Sequence, residues 1–299
     1  MALLDAQTTS VTHTIDAIRL NYTTQLRPGV TIKRFTQAYL IYSEAVTLID
    51  TGISGSERFI YQAVEACGRT PGDIRTIILT HAHPDHMGAA HSIQQDTGCR
   101  VMVHAYEKAF VDGTHSSQAY PVSPGLGHLI SGPAQVDRQL QDNDTIALDD
   151  HTQIRVLHTP GHSIGSVSLL LSPERVLFTG DAFALAWGIP AYQDVRASVH
   201  SIKKLQQQCP LAIMLSAWDE PRETAEIEGV LARSLKVLQA THSAVRKHAL
   251  GQRDIDPERL SKSVLADLNI PALARTSMVV KSIMAHLPLL DCEDLSTLS

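Results

Sequence analysis

Within Thr80-His81-Ala82-His83-Pro84-Asp85-His86-Met87-Gly88, four side chains that can hold a metal ion fall in six residues. Neutral imidazole is a good ligand for zinc and other borderline divalent ions, and carboxylate suits harder ones. His81 and His83 are two apart, so in an extended segment they point the same way. Asp85 and His86 follow the bend at Pro84 and can aim at a second point nearby. One short segment could therefore serve two neighbouring cations. With 15 histidines in 299 residues, scattered histidines carry little weight in this chain, but this density does.

The elements around the segment define how it is presented. Ile77-Ile78-Leu79 reads as a buried strand and Gly88 to Gln95 as a helix start, which puts the ligands on a strand-to-helix loop. Upstream, His13 to Leu20 reads as a strand and Arg27-Pro28-Gly29 as a turn. Ala38 to Tyr42 and Val46 to Ile49, joined by Ser43-Glu44, read as a hairpin ending in Asp50-Thr51-Gly52. Ser54 to Cys67 is an amphipathic helix. Downstream, Arg100 to His104 is a strand and Ala105 to Val111 a short helix. Residues 112–144 lack periodicity and carry Gly113, Pro121, Pro124, Gly125, Gly127, Gly132 and Pro133, the composition of a functional loop. His115, Tyr120 and His128 lie there, either facing substrate or solvated.

Strands resume at Thr145 to Leu148 and Gln153 to Leu157. A Pro160-Gly161 turn then presents His162 ahead of the strand Val167 to Leu171, while His158 ends an apolar strand and reads as structural. Arg175 to Phe178 leads into Thr179-Gly180-Asp181. The two oxygens of one carboxylate such as Asp181 can hold two cations apart and offset their repulsion, and the small Gly180 lets backbone come close. Ser198 to Gln207 reads as a helix. Leu211 to Leu215 is a strand that ends in Ser216-Ala217-Trp218-Asp219-Glu220.

These segments resemble the metallo-β-lactamase superfamily, whose signature is His-x-His-x-Asp-His, over roughly residues 13 to 218. The resemblance implies an α+β fold: a four-layer αββα sandwich of two mixed β-sheets flanked by helices over residues 1–219. A C-terminal helical region, 220–299, would follow. It also implies a first metal site of His81, His83 and His162, and a second of Asp85, His86 and the bridging Asp181. Asp50 would sit close behind the metal loop, if it is not an ordinary turn carboxylate or helix N-cap. The family usually places a last histidine after the strand that ends near Leu215. Trp218 stands there instead, and indole cannot ligate a metal. Asp219 could reach in as an oxygen ligand, the second site could manage with water, or it could be weakly occupied. The other reading of Asp219 is an N-cap ahead of Pro221.

The activity implied is metal-dependent hydrolysis of an ester, thioester or lactone carbonyl. One or two zinc ions per chain would serve it, with iron or manganese as alternatives, and Asp85 would orient water or carry a proton. A mononuclear iron dioxygenase of the persulfide type and a degenerate member that binds without turnover are the rivals.

Composition narrows the partners. The formal charge of −6 and the absence of a basic run argue against nucleic acid. No positively charged leader precedes an apolar core near the N-terminus, and no stretch approaches a membrane span. Cys67, Cys99, Cys209 and Cys292 are far apart and read as reduced thiols of a cytoplasmic protein. The expected partner is a small-molecule substrate, with a homodimer left open. In the tail, 221–250 reads as one long helix ended by Gly251. Asp256-Pro257-Glu258 opens a second, and Ala272 to Leu287 forms a third beyond Pro271.

Overall fold

A computed structural model of the protein describes residues 3–27, 29–114, 127–183 and 190–298. His115 and Tyr120 of the pattern-free segment lie outside the described residues.

The first sheet has seven strands in chain order. They are β1 (Leu3–Ser10), β2 (Ile15–Arg27), β3 (Val30–Tyr42), β4 (Val46–Ile49), β5 (Ile74–Ile78), β6 (Arg100–His104) and β7 (Val136–Leu140). Pairing is antiparallel from β1 to β4 and parallel from β4 to β7. The second sheet runs β13-β12-β11-β10-β9-β8. Its strands are β8 (Thr145–Ala147), β9 (Gln153–His158), β10 (Val167–Ser172), β11 (Val176–Phe178), β12 (Ile213–Leu215) and β13 (Arg222–Glu223). The helices are α1 (Glu57–Ala66), α2 (Pro84–Met87), α3 (Ala90–Thr97), α4 (Lys108–Val111), α5 (Val195–Gln206), α6 (Thr224–Ala249), α7 (Pro257–Asp267) and α8 (Ser277–Met284). The expected α+β architecture is therefore present: two mixed sheets with flanking helices and a helical C-terminal part.

Several elements differ from the expectation, each for a physical reason. β2 and β3 are thirteen residues each, much longer than the apolar alternation suggests. Their outer halves are held by cross-strand pairing from Tyr22↔Arg34 to Arg27↔Val30. β1 lies outside the expected strands, and β7 falls within residues 112–144, which lack periodicity. Asp85 and His86 are not on an open loop. They lie on the single helical turn α2, with Pro84 at its first position, where a missing N–H is harmless. The long tail helix starts at Thr224 through a Glu223/Glu226 capping box, so Asp219 does not cap it. The third tail helix is shorter than expected because Thr276 caps a fresh start at Ser277.

Contacts divide the chain into two compact units. One comprises Met1–His158, Val167–Gly180 and Leu215–Pro221; the other comprises Thr159–Ser166, Asp181–Met214 and Arg222–Ser299. In the first, Ile18, Leu20, Leu40, Leu48, Ile77 and Val101 fill an aliphatic core. The His158 ring stacks on that of His104, with 4.2 Å between centroids. Burial, with the neighbouring His158 second, pushes His104 down to about 4. In the second unit, α6 buries Ile227, Leu231, Leu238 and Val245 along one stripe, together with His242. Among the described residues, no helix is long and apolar enough to cross a membrane.

His286, just past α8, is fully buried, and its Nδ1 lies 3.2 Å from that of His242. Burial, and secondarily His242, push its pKa down to about 3. Protonation therefore favours the unfolded chain, whose imidazoles titrate near 6.5. The stability that neutral His286 lends is intact above that pH and is lost progressively as pH falls toward 3. Urea unfolding at about pH 7 and about pH 5 should show His286→Gln losing roughly 1–2 kcal/mol less than the wild type over that interval. Equal losses would place the acid sensitivity elsewhere.

Candidate metal centre

The loop after β5 is stitched to the Asp50-Thr51-Gly52 corner after β4. Asp50 is buried and adopts a left-handed backbone, φ +56°, which is unusual outside glycine and marks a constrained position. Its Oδ1 accepts from the Thr80 backbone N–H at 2.8 Å. Its Oδ2 accepts from Thr80 Oγ1 and from His86 Nδ1, both at 2.8 Å. Thr51 N and Oγ1 both donate to the His86 carbonyl, at 2.6 and 2.9 Å, and Gly88 N donates to the Gly52 carbonyl at 2.8 Å. On the far side, Glu107 Oε2 accepts from Ala82 N at 3.2 Å. The loop is thus held by two buried carboxylates, Asp50 and Glu107.

These bonds assign the imidazole tautomers. The Thr80 hydroxyl proton goes to Asp50, so His81 Nδ1–H donates to Thr80 Oγ1 at 3.1 Å. The lone pair of His81 is then on Nε2. His86 likewise donates Nδ1–H to a carboxylate and carries its lone pair on Nε2. His83 turns Nδ1 toward His81 Nε2 at 2.9 Å. The His81 ring lies 4.0 Å from that of His86 and 4.6 Å from that of His83, centroid to centroid. Asp85 is one-fifth exposed, and the buried Tyr22 hydroxyl donates to its Oδ2 at 3.3 Å.

In the second unit, His162 follows Gly161, whose φ is +133°. A Cβ on Gly161 would sit 2.2 Å from Ser198 Oγ, so only glycine lets the turn reach the start of α5. The Gly161 carbonyl accepts from Gln193 N and Asp194 N, and the Pro160 carbonyl from Ser201 Oγ. His162 donates Nδ1–H to the Ala191 carbonyl at 2.6 Å, which again leaves the lone pair on Nε2. Asp181 Oδ2 lies 3.4 Å from that nitrogen. Gly180 before it has φ +51°, and a Cβ there would meet Thr80 Oγ1 at 2.6 Å. The small residue read beside Asp181 is therefore required.

In each unit the donors are of a kind that a divalent metal takes. His81, His86 and His162 each have Nδ1 occupied by an oxygen acceptor and Nε2 carrying a lone pair, the usual outer-shell pattern for ligand histidines. Asp85 and Asp181 add carboxylate oxygens. Asp219 is half-buried in the turn after β12, where its main-chain carbonyl accepts from Gln37 Nε2 at 2.5 Å. Trp218 packs with Tyr22, Ile53 and Leu129, with its ring 6.2 Å from Phe35. His128 is exposed on a single turn over 127–129. Tyr22, Glu107 and Ala191 were missed by sequence reasoning. A tyrosine inside a strand, a glutamate before a short helix and a backbone carbonyl carry no pattern that could have flagged them.

The family model of the metallo-beta-lactamase superfamily matches residues 32–208. The chain belongs to the metallo-β-lactamase superfamily. It is similar to YobT of Bacillus subtilis, 35% identical over 158 residues, which are 50% of this chain and 63% of that protein. A hydroxyacylglutathione hydrolase of Rhizobium etli is 29% identical over 48% of this chain and 47% of its own length. The match thus spans about half to under two thirds of those two relatives. A probable metallo-hydrolase of Methanocaldococcus jannaschii is 26% identical over 58% of this chain and 82% of its own. A metallo-beta-lactamase family protein from Thermus thermophilus shares the fold, with a TM-score of 0.69 at 21% identity. That likeness covers 92% of this chain and 93% of the other.

Asp50 is the group to test. Asp50→Ala leaves Thr80 and His86 without their buried acceptor and should lower unfolding stability by roughly 3 kcal/mol, on the scale of hydrogen bonds to a charged group. Urea titration measures it, and a loss below about 1 kcal/mol would mean that the loop is held by its other bonds.

Proposed function

We propose that the protein is a metal-dependent hydrolase acting on the carbonyl of an ester, thioester or lactone in a small-molecule substrate. One ion would be held by His81, His83 and His162, and a second by Asp85, His86 and Asp181, with zinc the metal best suited to the nitrogen-rich first set. The observation that carries the reading is the tautomer pattern. Asp50, Thr80 and the Ala191 carbonyl occupy Nδ1 of His86, His81 and His162, which places each lone pair on Nε2. Membership of the superfamily supports it, as does the likeness of part of the chain to a hydroxyacylglutathione hydrolase.

A bound divalent ion in such a site supplies an activated water at neutral pH and a Lewis acid for the carbonyl oxygen. The protein's own groups do the rest. Asp85, more accessible than the histidines buried beside it, can hold a water by one oxygen or pass a proton to the leaving group. Tyr22 fixes which oxygen does so, because its hydroxyl engages Oδ2. The buried Asp50 accepts from His86 Nδ1, which sets the tautomer and gives the ring one orientation.

Elemental analysis of protein purified without chelators should find one to two zinc per chain. Thioester and lactone panels should then show turnover that His81→Ala lowers by at least about a hundredfold. One iron per chain with oxygen uptake would replace the hydrolase with a dioxygenase. Bound metal with no turnover on any carbonyl panel would leave a binding protein. Tyr22→Phe keeps the ring and removes the hydroxyl; it should lower kcat by roughly tenfold with little change in KM. Unchanged kcat would make Tyr22 a packing residue only.

A further inference from the structure

The peptide group between Ala191 and Tyr192 is clamped at both ends. Its carbonyl accepts the His162 Nδ1–H at 2.6 Å, and its N–H donates to Ser282 Oγ of α8 at 3.1 Å. Ser282 Oγ in turn donates to the Met278 carbonyl. The Tyr192 side chain is tied to the same region: its hydroxyl lies 2.6 Å from His286 Nε2. His286 Nδ1 meets His242 Nδ1 of α6 at 3.2 Å, and His242 Nε2 meets the Cys292 carbonyl at 2.7 Å.

The direction of this chain follows from its end. A carbonyl can only accept, so His242 Nε2 carries the proton and, in the neutral ring, Nδ1 accepts. His286 Nδ1–H must then donate to it, which makes His286 Nε2 the acceptor for the Tyr192 hydroxyl. Every donor points the same way, from Tyr192 toward the Cys292 carbonyl, and aligned bonds of this kind polarise and reinforce one another. Tyr192, Ser282, His242 and His286 are all buried. A tail that merely covered a surface would fill this space with aliphatic side chains, as α6 does at Ile227, Leu231 and Leu238. Buried polar groups are costly unless fully satisfied, and this set is satisfied only in one arrangement. That arrangement fixes the peptide that orients His162.

We propose that α6 and α8 help to position His162 as a metal ligand. Tyr192 and Ser282 act as positioning residues that hold the Ala191 carbonyl against His162, and His286 and His242 lock Tyr192 in place. The inference rests on the reading of His162 as a metal ligand. It assigns the tail a role in metal affinity rather than in covering surface.

The test is zinc affinity of the full-length chain, stripped of metal and titrated with zinc against a chromophoric chelator. Thermal melting of the same metal-free samples runs alongside. Tyr192→Phe and Ser282→Ala should each weaken zinc binding about 10-fold or more, the scale of outer-shell substitutions. His286→Gln keeps a donor and an acceptor in the relay and should stay close to the wild type. Metal-free Tyr192→Phe and Ser282→Ala should melt a few degrees below the wild type, because each leaves one buried partner unsatisfied, yet both should remain folded at the titration temperature. Zinc affinity that falls in His162→Ala but is unmoved in both Tyr192→Phe and Ser282→Ala would overturn the positioning role alone. Affinity indifferent to His162→Ala as well would overturn the metal reading of His162 and this proposal with it.

Discussion

A buried carboxylate that must be satisfied governs the first unit. Asp50 sits inside the fold in a backbone conformation that only a constrained residue keeps, and a charge in that position is tolerable only if several donors converge on it. They do: the Thr80 amide, the Thr80 hydroxyl and the His86 imidazole. The loop that carries the candidate ligands has little freedom as a result, since moving it would strip the carboxylate of its partners. The same bonds decide which nitrogen of His81 and His86 carries the proton. One electrostatic requirement thus sets both the position of the loop and the chemistry of its rings.

The second unit reaches the same end with a neutral acceptor. His162 is oriented by a backbone carbonyl, and that carbonyl belongs to a peptide whose N–H is itself bonded to Ser282. A carboxylate raises the basicity of a ligand imidazole more than a carbonyl does. As candidate ligands, His86 and His162 would therefore not be equivalent, even though both keep the lone pair on Nε2. Glycine recurs where these segments need close approach: Gly161 against Ser198 and Gly180 against Thr80 leave no room for a Cβ.

Trp218 lies in the turn after β12. Its indole completes a small apolar cluster with Tyr22, Ile53 and Leu129, and Tyr22 is the residue that engages Asp85. The position contributes packing behind a polar group. It supports Asp85 through the Tyr22 ring, which a solvated loop side chain could not do.

The fold class, most strand and helix positions and the residues rich in ligand chemistry were legible in the sequence. Local pattern carries them: aliphatic runs at Val46–Ile49, Arg100–His104 and Val167–Ser172, Asp256-Pro257 opening α7, and three histidines and an aspartate within six residues. The full lengths of β2 and β3 were not legible, because their outer halves are held by cross-strand partners rather than by their own periodicity. Nor were the roles of Tyr22, Glu107, Ala191 and Ser282. Hydrogen bonds between residues tens of positions apart leave no trace in spacing or composition. Residue types alone established that this chain could bind metal, since imidazole and carboxylate are intrinsic to the side chain. Only the tertiary structure decided which nitrogen carries the proton, because tautomer and ring orientation are set by acceptors that the folded chain brings from elsewhere.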